Sequence, residues 1–197
     1  MVACYTDPPA GATVLCVDEL GPVTPRAVPP PPGWSVDGHR LKVPIDYGRG
    51  PERTWVYGAL RVRDGHAQTL TAPSRNTAGY LALLEAIAAD NPTGELVLIS
   101  DNLASHKSPP IQAWLDEHPR VRQVFLPTGA CWLNLIEAWW RVFRREAFAG
   151  QSFATGEDIA EGTRAATQRL NRRATPWVWG RPRRPHRRLR RRFVYRL

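Results

Sequence analysis

Three acidic residues in this chain could carry metal-dependent chemistry. Asp18 follows the apolar run TVLCV, Asp101 follows LVLIS, and Glu137 lies in LNLIEAWW after a third apolar segment. Carboxylates at the ends of two neighbouring buried strands lie about 5 Å apart and need a cation. Oxygen donors without histidine or cysteine at zinc spacing favour Mg²⁺ or Mn²⁺. Two such ions would activate the attacking oxygen and stabilise the leaving one in a phosphodiester displacement, which is nuclease-type chemistry.

Each of these acids also has a purely structural explanation. Asp18 could cap a turn before the Gly-Pro pair that follows it, and Asp101 could form an Asx-turn with the next backbone groups. Glu137 lies three residues after Asn134, a capping-box spacing, and four residues before Arg141, an ion-pair spacing on a helix. Spacing alone therefore leaves both explanations open for all three acids.

The elements that would position these acids are predicted from hydrophobic periodicity and turn residues. The predicted strands cover residues 13–18, 53–62, 66–72, 96–99 and 121–127. The predicted helices cover residues 76–90, a segment capped by Ser108 and begun by Pro109, a segment from about Asn134, and residues 155–172. This order predicts an α/β fold, a mixed sheet flanked by helices, whose sites collect at the carboxyl ends of its strands.

Proline and aromatic residues add two structural predictions. Residues 21–34 are rich in proline, which removes hydrogen-bond donors and fixes backbone angles, so we predict a loop without an assigned function. Trp139, Trp140 and Phe143 follow helical spacing and are predicted to lie in the core rather than to stack on bases. Trp177 and Trp179 are left with two roles, stacking on DNA or pinning the end of the chain.

Positive charge is concentrated at one end of the chain. The formal net charge is +9, and residues 162–197 contain thirteen arginines and no acid, so they carry +13 while residues 1–161 sum to −4. Such a segment would repel itself without a polyanion, and aromatic residues lie among the arginines, which favours nucleic acid as a partner. The alternative is a solvated tail that reflects an arginine-rich genome.

Several classes of protein are disfavoured by composition. The three cysteines, Cys4, Cys16 and Cys131, form no C-x-x-C pair, so neither a disulfide framework nor a structural zinc site is predicted. No apolar run has the length of a membrane span, and no basic segment precedes an apolar stretch at the start of the chain. We therefore expect a cytoplasmic protein without a membrane partner.

Two blocks of sequence together resemble a known family. VLISDNLASHKS and FLPTGACWLNLIEAWWRVFRRE are similar to the catalytic core of DDE transposases from bacterial insertion sequences related to mariner elements. In that family an apolar strand ends in D-N followed by a histidine, and a later strand, L-P and L-N-x-x-E follow. Asp101 and Glu137 are 36 positions apart, and CVDEL supplies Asp18 83 positions upstream of Asp101. The resemblance covers roughly residues 13–175.

The resemblance implies a fold, a reaction and a set of site residues. The fold would be RNase H-like over residues 1–175, with an arginine-rich tail at 176–197. The catalytic and metal-binding triad would be Asp18, Asp101 and Glu137, with two Mg²⁺ (or Mn²⁺) ions. The reaction would be hydrolysis at the ends of the element, followed by attack of the freed 3′ hydroxyl on target DNA. Residues implied to orient the site or to contact DNA are Asn102, His106, Asn134, Arg141, Arg144 and Arg145.

The chain also departs from this family. Full-length members carry an N-terminal helix-turn-helix region that recognises the element's ends, whereas 17 residues precede Asp18 here, so we expect a truncated core. A separate helix-turn-helix polypeptide and a homodimer are the protein partners left open. Cys131 and Trp132 stand where a proline-rich turn is frequent, and Arg144 or Arg145 replaces the usual lysine.

Two alternative functions follow from these departures. The chain could be a catalytically inactive transposase remnant that binds nucleic acid through its basic tail. It could also be an RNase H-like nuclease that cleaves DNA without joining strands.

Overall fold

The computed structural model describes residues 2–26, 36–39 and 52–179. The five strands are β1 Thr13–Val23, β2 Thr54–Arg61, β3 Ala67–Ala72, β4 Leu96–Ser100 and β5 Val121–Phe125. The five α-helices are α1 Val2–Thr6, α2 Thr77–Asp90, α3 Pro109–Glu117, α4 Leu135–Ala147 and α5 Gly156–Asn171. Two short 3₁₀ helices, Ala104–Lys107 and Cys131–Leu133, follow β4 and β5.

The strands form one mixed sheet in the order β3-β2-β1-β4-β5. β1 pairs antiparallel with β2, and β2 pairs antiparallel with β3. β1 pairs parallel with β4, and β4 pairs parallel with β5. This mixed sheet flanked by helices confirms the predicted α/β class and is that of an RNase H-like fold. The first strand in the sequence therefore lies at the centre of the sheet.

Side-chain alternation along β1 divides the core between two sides of the sheet. Cys16 and Leu20 pack in one buried cluster with α4 and α5, which we call the α4 face. Leu15 and Val17 pack in a second cluster with α2 and α3, which we call the α2 face. The predicted core residues Trp139, Trp140 and Phe143 are buried on the α4 face, so the core prediction for them is confirmed.

Most predicted elements are confirmed, but the end of β1 is a correction. The strand predicted for residues 13–18 continues to Val23, so the part of the predicted loop at residues 21–23 is strand. Leu20 still pairs with Val56 and Val23 with Thr54, and the register shifts between them. Pro22 fits in this irregular segment because a register shift tolerates a residue without an N–H group. Residues 27–34 of the predicted loop lie outside the described residues.

The two ends of the described chain meet beside the α4 face. The ring of Tyr5 in α1 stacks on Trp179, and the backbone N–H of Trp177 donates to the carbonyl of Val62. Both tryptophans thus have contacts that hold the chain end. Residues 180–197, with nearly all of the predicted arginine tail, lie outside the described residues, so the division into 1–175 and 176–197 stays a prediction. Within the described ranges, no helix has the length and apolar character needed to cross a bilayer.

Candidate active site

The parallel register between β1 and β4 brings Asp18 and Asp101 to the same edge of the sheet. The pairs run from Thr13 opposite Leu96 to Cys16 opposite Ile99. Two residues further along each segment stand Asp18 and Asp101, and adjacent strands are about 4.8 Å apart. Asp101 directly follows the last residue of β4, as predicted, whereas Asp18 lies within β1 rather than at its end. The prediction that Asp18 ends its strand is therefore wrong, because pairing with β2 continues beyond it.

Asp18 lies in a largely apolar setting on the α4 face. Its Oδ2 accepts a hydrogen bond of 3.1 Å from the indole Nε1 of Trp140. Burial raises the pKa of Asp18 to about 7, and the charges of Glu137 and Glu19 act in the same direction. Hydrogen bonds from backbone and indole oppose this increase without cancelling it. The chain by itself therefore holds a carboxyl group here whose charged form is poorly compensated.

Glu137 enters the site from the first turn of α4. Its backbone N–H donates to the carbonyl of Asn134, and its side chain is exposed. Its charge contributes to the raised pKa of Asp18. Glu137 therefore acts on Asp18 from an exposed position in the first turn of α4.

Asn134 attaches the start of α4 to β1. It occupies the N-cap position but makes no capping hydrogen bond with its side chain, so the capping explanation that the spacing left open does not apply to this side chain. Its Nδ2 instead donates to the carbonyl of Val17 at 3.0 Å, next to Asp18 in the chain. Asn134 is 3% exposed. This bond sets the first turn of α4, and with it Glu137, against the strand that carries Asp18.

Asp101 is held by two hydrogen bonds on one oxygen. The N–H of Leu103 donates to Oδ1 at 3.1 Å, which forms the Asx-turn that the sequence left open. Nδ1 of His106 lies 3.0 Å from the same Oδ1. Burial works against the charged carboxylate, but these two hydrogen bonds outweigh it and hold the pKa of Asp101 below its usual range. Asp101 is therefore ionised at neutral pH and remains 36% exposed.

His106 connects Asp101 to a second carboxylate that the sequence did not single out. Its Nε2 lies 2.8 Å from Oε1 of Glu19, and both side chains are almost completely buried, at 0% and 1% exposure. Burial disfavours the imidazolium, but hydrogen bonds to Asp101 and Glu19 raise the pKa of His106 to about 9. The ring also stacks on Tyr80, with centroids 3.9 Å apart. His106 therefore lies beneath the site rather than on a surface open to phosphate.

Asn102 stabilises the loop after β4. Its Nδ2 donates to the carbonyl of Leu126, just beyond β5, and its Oδ1 accepts from Nζ of Lys107. These contacts join the loop that contains Asp101 to the segment after the neighbouring strand. Asn102 thus has a structural role whether or not it contacts DNA.

The three acids suit a hard divalent cation in donor type, but they do not form a preassembled cluster. Within residues 2–26, 36–39 and 52–179, no group of three or more His, Cys, Asp or Glu side chains is arranged to hold a metal ion. The donors are carboxylate oxygens, which Mg²⁺ and Mn²⁺ prefer. A cation at Asp18 would also offset the burial and acid charges that raise its pKa. Asp101 is already held in place, so the exposed side chain of Glu137 is the one that would turn toward such an ion.

Three arginines of α4 were predicted to orient the site or to contact DNA. Arg141, Arg144 and Arg145 are all exposed. Arg144 and Arg145 line a groove of about 540 Å³ beside the last residues of β1, together with Arg26. Arg26 is fixed by a 3.1 Å hydrogen bond from its guanidinium to the carbonyl of Phe148. The groove therefore combines three positive side chains at the end of the strand that carries Asp18.

Sequence reasoning missed three residues near the site. The side-chain alternation of β1 could have identified Glu19, because a residue next to Asp18 must face the opposite side of the sheet. Trp140 was expected in the core, and its hydrogen bond to Asp18 has no sequence signal. Arg26 lies in a segment predicted as loop, and no pattern connects it to Arg144 and Arg145.

Comparison with known proteins gives two matches. A family model described as DDE superfamily endonuclease matches residues 13–160, which include all three acids. The chain is 29% identical over 109 residues to the insertion element IS630 uncharacterized 39 kDa protein of Shigella sonnei. That match covers 55% of this chain and 31% of the relative.

Proposed function

Because the chain belongs to the DDE superfamily endonuclease family, we propose that it is the catalytic core of an insertion-element transposase that cleaves DNA and transfers strands. Asp18, Asp101 and Glu137 are its catalytic carboxylates. The observation that supports this most strongly is the β1–β4 register, which carries Asp18 and Asp101 to one edge of the sheet. Glu137 joins them through α4, whose start is bonded to β1.

We propose that the three carboxylates bind two divalent ions, Mg²⁺ or Mn²⁺. Such ions, when bound, supply positive charge to the attacking and leaving oxygens of a phosphodiester displacement. Asp101 contributes an ionised carboxylate that Leu103 and His106 already orient, and Asp18 contributes a carboxyl group that Trp140 orients. Glu137, on the exposed first turn of α4, completes the set when it turns inward.

The proposed reaction has two displacements at phosphorus. In the first, a water oxygen bonds to phosphorus, the bond from phosphorus to the 3′ oxygen breaks, and that oxygen leaves with a proton. In the second, the freed 3′ hydroxyl bonds to a phosphorus of target DNA, loses its proton, and displaces the 3′ oxygen there. The number of phosphodiester bonds is unchanged in the second step, so no further energy source is required.

DNA is the proposed partner, held through its phosphates. The groove lined by Arg26, Arg144 and Arg145 lies beside the end of β1 and carries charge of the sign that phosphates attract. Arg141 lies one helical turn before Arg144 and Arg145 and, like them, is exposed on α4. These contacts would bind backbone without reading bases, so recognition of the element's ends by a helix-turn-helix polypeptide, and any homodimer, remain predictions.

A nicking assay tests the proposed function. Purified protein is incubated with supercoiled plasmid and Mg²⁺ or Mn²⁺, with EDTA as the metal-free arm. We expect metal-dependent conversion to open circles that Asp101→Asn abolishes. Asp116→Asn, the same charge change on the exposed side of α3, is the matched control and should nick at the wild-type rate. Equal nicking by Asp101→Asn and wild type would exclude this site.

The two alternatives give different results in companion assays. An oligonucleotide with a free 3′ hydroxyl end should become joined to plasmid if strands are transferred, whereas a nuclease without joining yields nicks alone. The inactive remnant would be supported by a different result. In that case DNA binding would not depend on metal, would be lost on deletion of residues 181–197, and would never be followed by nicking.

A further inference from the structure

A continuous line of hydrogen bonds runs from the candidate site into the α2 face. It connects Asp101 Oδ1 to His106 Nδ1 at 3.0 Å, and His106 Nε2 to Glu19 Oε1 at 2.8 Å. Glu19 is the neighbour of Asp18 on β1, and the alternation of the strand turns the two carboxylates to opposite sides of the sheet. One strand therefore supplies a carboxylate to the site directly and a second carboxylate to the site through a histidine.

Glu19 is an unusual side chain for its position. Val17, on the same side of β1, is fully buried in an apolar cluster, and the side chain of Glu19 is 1% exposed. Its Oε2 is buried without a hydrogen-bond partner among the described residues. A buried ion pair is often no more stabilising than apolar residues of similar volume. Stability alone thus gives little reason for a glutamate here.

His106 is held firmly enough to transmit orientation. Its ring stacks on Tyr80, which is fully buried in α2. Its own position in the 3₁₀ helix after β4 is fixed by a backbone hydrogen bond to Leu103. With the ring plane set by Tyr80 and Nε2 set by Glu19, Nδ1 has one direction left, toward Asp101.

The effect on Asp101 is to fix one carboxylate oxygen and direct the other. Both contacts that hold this carboxylate end on Oδ1, a hydrogen bond from Leu103 and an ion pair with His106, whose Nδ1 also lies 3.4 Å from the backbone carbonyl oxygen of Asp101. Oδ2 has no hydrogen bond among the described residues. A carboxylate held in this way is oriented before an ion or a substrate arrives.

We propose that Glu19 is a positioning residue for the DDE site, acting through His106 to orient Asp101 for cation binding. This inference rests on the proposed function, because it assigns Asp101 to the metal site. Partners of metal-binding carboxylates typically change metal affinity or activity by 10- to 100-fold when they are removed. Glu19 would then be required for the site although it contacts neither metal nor DNA.

The test measures binding of Mn²⁺ alone by calorimetry, together with the melting temperature and the kcat and KM of plasmid nicking. Glu19→Leu removes the acceptor for His106, and Glu19→Gln keeps an oxygen at the same place. We expect Glu19→Leu to bind Mn²⁺ 10- to 100-fold more weakly and to lower kcat with KM for DNA unchanged. Glu19→Gln should restore Mn²⁺ affinity to within about threefold of wild type.

A double variant separates positioning from folding. Glu19→Leu alone leaves His106 buried with one partner fewer and is expected to lower the melting temperature. Glu19→Leu with His106→Phe replaces the buried pair by apolar groups and keeps a ring on Tyr80, so it should regain stability but not Mn²⁺ affinity. Thr163→Val, which removes a buried hydroxyl oxygen without a partner from α5, is the matched control and should bind Mn²⁺ as wild type does.

The outcomes distinguish this inference from the proposed function. If Glu19→Leu and the double variant bind Mn²⁺ within threefold of wild type while Asp101→Asn does not, the positioning role is overturned and the site stands. If Asp101→Asn itself leaves Mn²⁺ affinity unchanged, the proposed site is wrong and the positioning role falls with it. If Glu19→Leu does not fold, the double variant and Glu19→Gln still decide the question.

Discussion

The two sides of the sheet treat neighbouring carboxylates of β1 in opposite ways. On the α4 face, Asp18 has an indole donor and acidic neighbours, and burial raises its pKa to about 7. On the α2 face, Glu19 is more deeply buried but hydrogen-bonds a histidine, whose pKa is raised to about 9. Burial is common to both residues. The difference is whether the protein itself supplies the compensating positive charge.

This comparison explains how one strand can serve both structure and chemistry. The Glu19 side chain is buried and its charge is compensated by His106, so Glu19 is not placed to bind an external cation. A carboxylate whose charge is poorly compensated is where an external cation gains most. The α2 face therefore acts as the fixed side of the site, and the α4 face as the side that receives ions.

Asp18→Asn is expected to have the largest effect. The change removes an anionic oxygen from the ion-receiving side and should lower plasmid nicking by about 1,000-fold or more, equivalent to ~4 kcal/mol. In EDTA at pH 8 the variant should unfold at a higher denaturant concentration than wild type. The folded-state pKa of Asp18 is raised above its usual 3.8, so its ionisation costs stability as pH rises from about 4 through 7, and asparagine does not ionise.

Two readouts test this prediction. Chemical unfolding at pH 4 and pH 8 should show a gain for Asp18→Asn that is present only at pH 8. A variant that nicks poorly and is also less stable at pH 8 would contradict the contrast between the two faces, since Asp18 would then be compensated as Glu19 is.

Gly58→Ala and Gly79→Ala form a matched pair, one on each face. A Cβ at Gly58 would lie 2.5 Å from Cη2 of Trp140, and a Cβ at Gly79 would lie 2.4 Å from the ring of Tyr57. Each substitution should cost roughly 1–3 kcal/mol of unfolding free energy through overpacking. Gly58→Ala alone should also lower nicking, about tenfold or more, because it displaces the indole that orients Asp18.

Denaturant titrations and nicking rates at a temperature where both glycine variants are folded make this comparison. Equal nicking by the two variants would show that the position of Trp140 is irrelevant to the site.

Trp140→Phe is expected to have a smaller effect on nicking. It removes the N–H that donates to Asp18 Oδ2 and retains an aromatic ring, so we expect a loss of about fivefold, near 1 kcal/mol. Trp139→Phe is the control, because Trp139 is equally buried and the hydrogen bond to Asp18 comes from its neighbour. Similar losses in both variants would assign the effect to packing.

Thiol labelling tests the burial of β1 on the α4 face and is expected to disturb the site least. Cys16 is fully buried on the α4 face two residues before Asp18, and burial raises its pKa to about 11. Cys131 is exposed at the start of the second 3₁₀ helix, in a pocket that Asp101 also lines. At pH 8 a thiol reagent should modify Cys131 within minutes and Cys16 only after unfolding. Mass spectrometry of Cys131→Ser is the control, and rapid modification of Cys16 there would contradict the burial of this strand.

Much of the fold could be predicted because its signals are local. Apolar runs and helical spacing identified β4, α2 and the start of α4 within one or two residues. The path of β1 beyond Asp18 could not be predicted, since a Gly-Pro pair is locally a turn signal and the pairing with β2 joins residues more than 30 positions apart. In this segment, tertiary strand pairing overrides the local preference for a turn.

The three acids could be predicted as candidates, but their surroundings could not. The contact between Glu19 and His106 joins positions 87 apart, and that between Trp140 and Asp18 joins positions 122 apart. Neither contact follows from a periodic pattern in the sequence. Capping of α4 was one of the roles left open for Asn134, which instead bonds β1, because the nearby carbonyl of Val17 is a partner that sequence spacing cannot reveal.

The central position of β1 in the sheet determines when, during synthesis of the chain, the three acids can come together. Its parallel partner begins at Leu96, and α4, which brings Glu137, begins at Leu135. Contacts between segments so distant along the chain form late, because a long loop must close first. A nascent polypeptide emerging from the ribosome can form the β2–β3 hairpin early, but it cannot unite its acids until most of the matched region has been translated.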